Sequence, residues 1–199
     1  PKIFGHTLRR KHPEYKSPFL MGQLIAFFTK AGDIVLDPFA GTGASLVAAS
    51  LLGRESIGFE IQKKWCEIYY EICNREGIQK QKLVQGHCVT LAGFVPPESV
   101  DFVIMDPPNP LKPDDWTDPD SDAPGAPVDA FFNMFHELVK TLRVSMKWGK
   151  YAAIFTRNIY QDGRYVYMTP MFAAAAEDAG LTLKGEKIWE NKAEKMRPF

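Results

Sequence analysis

Residues 33–60 read Asp-Ile-Val-Leu-Asp-Pro-Phe-Ala-Gly-Thr-Gly-Ala-Ser-Leu-Val-Ala-Ala-Ser-Leu-Leu-Gly-Arg-Glu-Ser-Ile-Gly-Phe-Glu. The first five form a short buried strand, and Gly41-Thr42-Gly43 turns the chain into a helix that Gly53 closes. Residues 55–59 form a second strand, with Glu60 at its end. Two glycines one residue apart let a backbone approach a ligand closely where a helix begins. Leu46 stands where a dinucleotide fingerprint has its third glycine, and no phosphate-loop lysine follows, so both of those alternatives lose ground.

The same rhythm continues on both sides. Ser17 caps a helix over 17–31, with Pro18 at its first position and Leu20, Leu24, Phe27 and Phe28 at helical spacing. A helix follows over 63–75, then strands at 82–85 and 101–105. A Pro/Asp-rich loop spans about 107–128 and a long amphipathic helix 128–147. A strand at 151–156, a helix at 167–179 and a last strand at 181–189 complete the pattern. Alternating strands and helices predict an α/β, doubly wound, mostly parallel sheet. Such sheets bind ligands beyond the carboxyl ends of their strands, where strand order reverses. The chain reads as a single domain over residues 1–199. A closing antiparallel strand is not evident, and residues 2–9 or a partner subunit are the candidates to supply it.

The 199 residues carry 24 basic and 24 acidic side chains. Neutral overall charge departs from the basic excess of a dedicated nucleic-acid binder. Charge is uneven, however: Lys2, Arg9, Arg10, Lys11 and Lys16 cluster near one end, and Lys184, Lys187, Lys192, Lys195 and Arg197 near the other. Either cluster suits phosphate or is simply solvated. No apolar run reaches membrane length and no signal peptide is evident, so a cytoplasmic protein is expected. Cys66, Cys73 and Cys88 lack metal-ligand spacing and read as reduced core thiols. The acidic loop residues lack the spacing of a calcium loop, so no metal is expected.

The stretch VLDPFAGTGASLVAASLLGRESIGFEIQKKWCEIYYE, with SPFLMGQLIAFFTKAGD before it, resembles the donor-binding half of the DNA N4-cytosine/N6-adenine amino-methyltransferase family. That resemblance implies a Rossmann-like methyltransferase fold and S-adenosylmethionine (AdoMet) as cofactor. It implies that Asp37, Phe39, Ala40, Gly41 and Gly43 surround the methionine part, with Pro38 and Thr42 also in the cofactor site. It implies as well that Glu60 holds the ribose and that Lys16, Ser17 and Phe19 lie near the amino-acid end. The family often has Gly-Asp after the third strand. Here Gly86-His87-Cys88 stands there, and His87 is either an adenine contact or an ordinary loop residue.

Asp106-Pro107-Pro108-Asn109 follows the fourth strand and resembles the family's Asp-Pro-Pro-Tyr motif. An exocyclic base amine is a poor nucleophile because its lone pair is delocalised into the ring. A carboxylate (Asp106) and a main-chain carbonyl (Pro107) accept its two N–H bonds and favour a pyramidal nitrogen aimed at the methyl donor. Pro108 stiffens the loop. The resemblance implies duplex DNA as partner, its target base flipped out of the stack. Asn109 replaces the aromatic residue that stacks on this base, which is worth about 1–3 kcal/mol; Trp116 is the alternative platform. Arg157-Asn158-Ile159-Tyr160 and Arg164-Tyr165 are further candidates for substrate contact. A homodimer or a separate specificity subunit would supply missing DNA contacts. RNA-base or protein-amide methylation, and a non-catalytic nucleic-acid-binding domain of the same fold, are the competing readings.

Overall fold

The computed structural model describes residues 4–112, 128–161 and 163–189. Trp116, most of the acidic loop, Lys2, Lys192, Lys195 and Arg197 lie outside the described residues. Five strands form one parallel sheet in the order β3-β2-β1-β4-β5. They are β1 (Ile34–Asp37), β2 (Glu55–Glu60), β3 (Lys82–Gln85), β4 (Val100–Met105) and β5 (Met146–Ile154). Strand order reverses between β1 and β4, which puts the residues after Asp37 and Met105 at the switch point.

Side-chain alternation along the central strands feeds two cores. Val35, Phe102 and Ile104 pack on one face against Met21 and Ile25 of α2 (Pro18–Phe28) and Ala44, Ala48 and Ala49 of α3 (Ala44–Leu51). Leu36, Val103 and Met105 face the other way. They meet Phe131, Phe135 and Leu138 of α6 (Val128–Ser145) and Phe172 of α7 (Met168–Asp178). Phe135 and Phe172 meet edge to face with centroids 5.0 Å apart, and each buried ring contributes about 2–3 kcal/mol. A third cluster joins Leu8 of α1 (His6–Arg9) and Leu46 to Cys66, Tyr69 and Ile72 of α4 (Lys63–Glu76). Cys66, Cys73 and Cys88, the last opening α5 (Cys88–Ala92), are buried free thiols. Among the described residues no helix is long and apolar enough to cross a membrane.

Several expectations are corrected. Residues 181–189 form no strand: among the described residues β5 is the last strand of the sheet, and the run pairs with none of them. Its Ile188 is 92% exposed, while Lys187 Nζ sits 4.8 Å from the centre of the Phe27 ring. Residues 6–9 are helix α1, so they supply no edge strand. α2 stops at Phe28 rather than residue 31, because Thr29 turns extended and its N–H closes on the Ile25 carbonyl. α6 stops at Ser145, since Met146 already pairs with Val100 across a register shift. An antiparallel hairpin, β6 (Ile159–Gln161) with β7 (Arg164–Val166), was not foreseen.

Candidate active site

The turn after β1 is held by its own acid. Asp37 Oδ1 accepts the Phe39 N–H at 2.9 Å, and Oδ2 accepts the Ser45 hydroxyl from the first turn of α3. Burial pushes Asp37 up to about 7, with Asp106 and Glu60 adding repulsion. Ala44, the first residue of α3, lines the cavity, bringing the positive end of the helix dipole to its rim. Gly43 has φ 70°, and a Cβ there would fall 2.2 Å from Tyr69 Cδ2. Only glycine fits both constraints.

Glu60, at the end of β2, reaches back to the same turn. Its Oε2 accepts the Gly41 N–H at 2.9 Å and its Oε1 the Gln62 N–H at 2.7 Å. Burial raises its pKa, and those two bonds hold the rise down.

The N-terminal segment lies across the opening. Arg9 is fully buried and donates from Nη1 to the Thr42 carbonyl at 2.7 Å and its hydroxyl at 3.2 Å. Burial brings this guanidinium down to about 10. The His12 ring packs on Trp65 with centroids 4.6 Å apart, and its Nδ1 accepts the Glu14 N–H at 3.1 Å. Burial lowers His12 to about 4, so the ring is neutral at pH 7 and carries its proton on Nε2. Lys16 Nζ lies 2.8 Å from Asp106 Oδ2, and Arg157 pairs with Glu14.

These elements line a cavity of about 320 Å³. Lys16, Asp37, Pro38, Phe39, Ala40, Gly41, Thr42, Glu60, His87, Asp106, Pro107 and Pro108, all anticipated from sequence, line it. His12, Trp65 and Gln62 also line it and were missed. The signal for Trp65 was a large aromatic in the first turn of the helix following an acidic strand end.

Four anticipated residues have other places. The Ser17 hydroxyl accepts the Phe19 N–H and caps α2, and Phe19 is 61% exposed; neither lines the cavity. Gly43 packs behind it on Tyr69. Asn109 lines the neighbouring groove instead of this cavity; it is buried at 8% exposure and its Oδ1 accepts the Leu111 N–H at 3.0 Å, which shapes the loop. The N-terminal basic cluster is also divided: Arg9 and Lys16 are engaged internally, while Arg10 and Lys11 are exposed.

A wide groove opens beside the cavity, along β5, α7 and residues 180–189. Glu14, Lys16, Asp106, Pro107 and Pro108 line both spaces and form the partition between them.

Comparison with known proteins places the first third of the chain. Residues 2–71 match the model of a DNA methylase family, N6_N4_Mtase. The type II methyltransferase M2.DpnII of Streptococcus pneumoniae is 43% identical over 58 residues, 29% of this chain and 22% of that protein. The type II methyltransferase M.HindIII of Haemophilus influenzae is 48% identical over 69 residues, 35% of this chain and 21% of that protein. The matched stretch thus spans about a fifth of the length of these relatives. Among solved structures, TrmN from Thermus thermophilus is similar at TM-score 0.56 and 18% identity, over 75% of this chain and 47% of that one. A SAM-dependent methyltransferase from Aquifex aeolicus is similar at TM-score 0.53 and 19% identity, over 80% of this chain and 78% of that one. These likenesses show a Rossmann-like methyltransferase fold.

Proposed function

We propose that this chain carries the donor and catalytic sites of an AdoMet-dependent DNA amino-methyltransferase, acting on N6 of adenine or N4 of cytosine. One observation carries the reading: Asp106, Pro107 and Pro108 line both a cavity of small-molecule size and the wider groove beside it. A donor held in the first space and a base entering from the second meet at that partition.

The residues present fit AdoMet. A cavity of about 320 Å³ is within the usual size range for a small-molecule site. Glu60 keeps lone pairs for ribose hydroxyls, and Trp65, His12 and Phe39 supply apolar faces. Bound there, AdoMet supplies an electrophilic sulfonium methyl. Asp106 and the Pro107 carbonyl accept the N–H bonds of the incoming amine, so its lone pair turns toward that methyl. An ionised Asp106 would stabilise the positive charge that grows on the amine nitrogen as the methyl passes to it and the sulfur–methyl bond breaks.

The polypeptide works in the cytoplasm on duplex DNA. With a formal net charge of zero, its affinity for phosphate draws on a second copy or a specificity subunit.

Transfer of labelled methyl from AdoMet to duplex DNA, total RNA and protein tests the reading. Label in DNA, recovered after digestion as N6-methyladenine or N4-methylcytosine, is the expected result. Label in RNA or protein alone would reassign the acceptor, and AdoMet binding with no transfer would favour a non-catalytic domain.

A further inference from the structure

Asp106 is a carboxylate in a confined place, its side chain 20% exposed at the end of β4. Four charged groups act on it or are repelled by it: Lys16 and Glu14 from the N-terminal segment, Arg157 after β5, and Asp37 from the turn after β1. Arg157 is engaged by Glu14. Among the described residues, the cation in contact with Asp106 is Lys16, with Nζ 2.8 Å from Oδ2.

We propose that Lys16 is a positioning residue of the acceptor site: its ammonium fixes Asp106 through Oδ2, keeps the carboxylate ionised, and leaves Oδ1 to receive the amine N–H of the target base. The inference rests on the methyl-transfer reading and moves Lys16 from the donor's amino-acid end to the acceptor side. The chemistry favours such a partner. A protonated carboxyl donates a hydrogen bond where the mechanism needs an acceptor. Burial pushes Asp106 above the ordinary carboxylate range, and Lys16 is the largest influence against that rise. Glu14 adds to the rise, which its pairing with Arg157 offsets. The N-terminal segment thereby delivers one cation to a strand end distant in sequence, and Arg9 anchors that segment on Thr42.

The test compares wild type with Lys16→Met and Lys16→Arg. Three quantities are measured: the dissociation constant for labelled AdoMet by equilibrium dialysis, the pH profile of kcat on duplex DNA, and the ¹³C titration of the Asp106 carboxyl. Activity needs the ionised form, so loss of the cation moves the acid limb toward higher pH. Lys16→Met is expected to shift both that limb and the ¹³C midpoint up by about 1–2 pH units. AdoMet affinity stays within about threefold, and Lys16→Arg returns the midpoint toward wild type. An unmoved ¹³C midpoint in Lys16→Met overturns the proposal. So does a loss of AdoMet affinity of more than about tenfold with an unchanged pH profile, which would return Lys16 to the donor. The ¹³C titration needs no turnover, so it judges the pair even if wild type fails to methylate DNA, a result that would sink the functional reading by itself.

Discussion

Glu60 Oε2 accepts the Gly41 N–H at 2.9 Å, so the end of β2 fixes the loop that follows its neighbour β1. One carboxylate thereby shapes the glycine turn and faces the cavity. Glu60→Ala removes both contributions. A hydrogen bond to a charged group is worth about 1.5–3 kcal/mol, so AdoMet affinity is expected to fall about 10–100-fold. Equilibrium dialysis measures this, and unchanged affinity would place the ribose elsewhere.

Gly43 and Gly53 share φ 70°, yet their surroundings differ. A Cβ at Gly43 meets Tyr69 Cδ2 at 2.2 Å, whereas nothing lies within 4 Å at Gly53. Gly53→Ala is expected to lower stability by about 1 kcal/mol, the cost of a left-handed alanine. Gly43→Ala adds overpacking and is expected to lose about 3 kcal/mol or more. Urea unfolding of the two variants separates the effects; equal losses would mean that Tyr69 yields freely.

Asp101 ties the opposite, amino end of the sheet. Its Oδ2 accepts the Ile34 N–H at 3.0 Å and meets Lys147 Nζ at 2.7 Å, and its Oδ1 lies 3.1 Å from Lys150 Nζ. Burial alone would raise this carboxylate, but the hydrogen bonds from Lys147, Ile34 and Lys150 outweigh it and bring it down to about 2. A folded pKa below the unfolded value of about 3.9 gives stability that is present above pH 4. That stability disappears as pH falls toward 2. Asp101→Asn should therefore lose about 2 kcal/mol at pH 7, with the gap to wild type closing by pH 2–3. Unfolding free energies at both pH values check it; a gap independent of pH would contradict the ion-pair account.

Asn109→Tyr restores the aromatic residue of the family motif but not its setting. The wild-type side chain is buried and accepts the Leu111 N–H. The larger ring is expected to cost about 1–3 kcal/mol of stability and to leave kcat on DNA at or below wild type. A rise in kcat with unchanged stability would show that the loop can present residue 109 to the base.

Much of the fold was legible because its signals are local. Ile34-Val35-Leu36 and Phe102-Val103-Ile104 are apolar runs that both faces of a covered sheet require, and Gly41-Thr42-Gly43 marks the turn between β1 and α3. The rim of the cavity followed from strand ends, which is how Asp37, Glu60 and Asp106 could be anticipated together. What escaped depends on contacts distant along the chain. Nothing near Arg9 announces that its guanidinium lies under Thr42, 33 residues away, or that Lys16 meets Asp106. His12 gave no sign of packing on Trp65. The reading of residues 181–189 erred for a related reason. Leu181 and Leu183 alternate as a half-buried strand would, but a strand exists only with a partner, and among the described residues β5 pairs only with β4.

The central claim, a donor pocket facing an acceptor carboxylate across one partition, is tested most directly by Asp106→Asn. Labelled methyl transfer to duplex DNA and AdoMet binding are measured on the same preparation. The account predicts wild-type AdoMet affinity with transfer reduced at least about 100-fold. Near-normal transfer by this variant, or loss of AdoMet binding together with transfer, would contradict it.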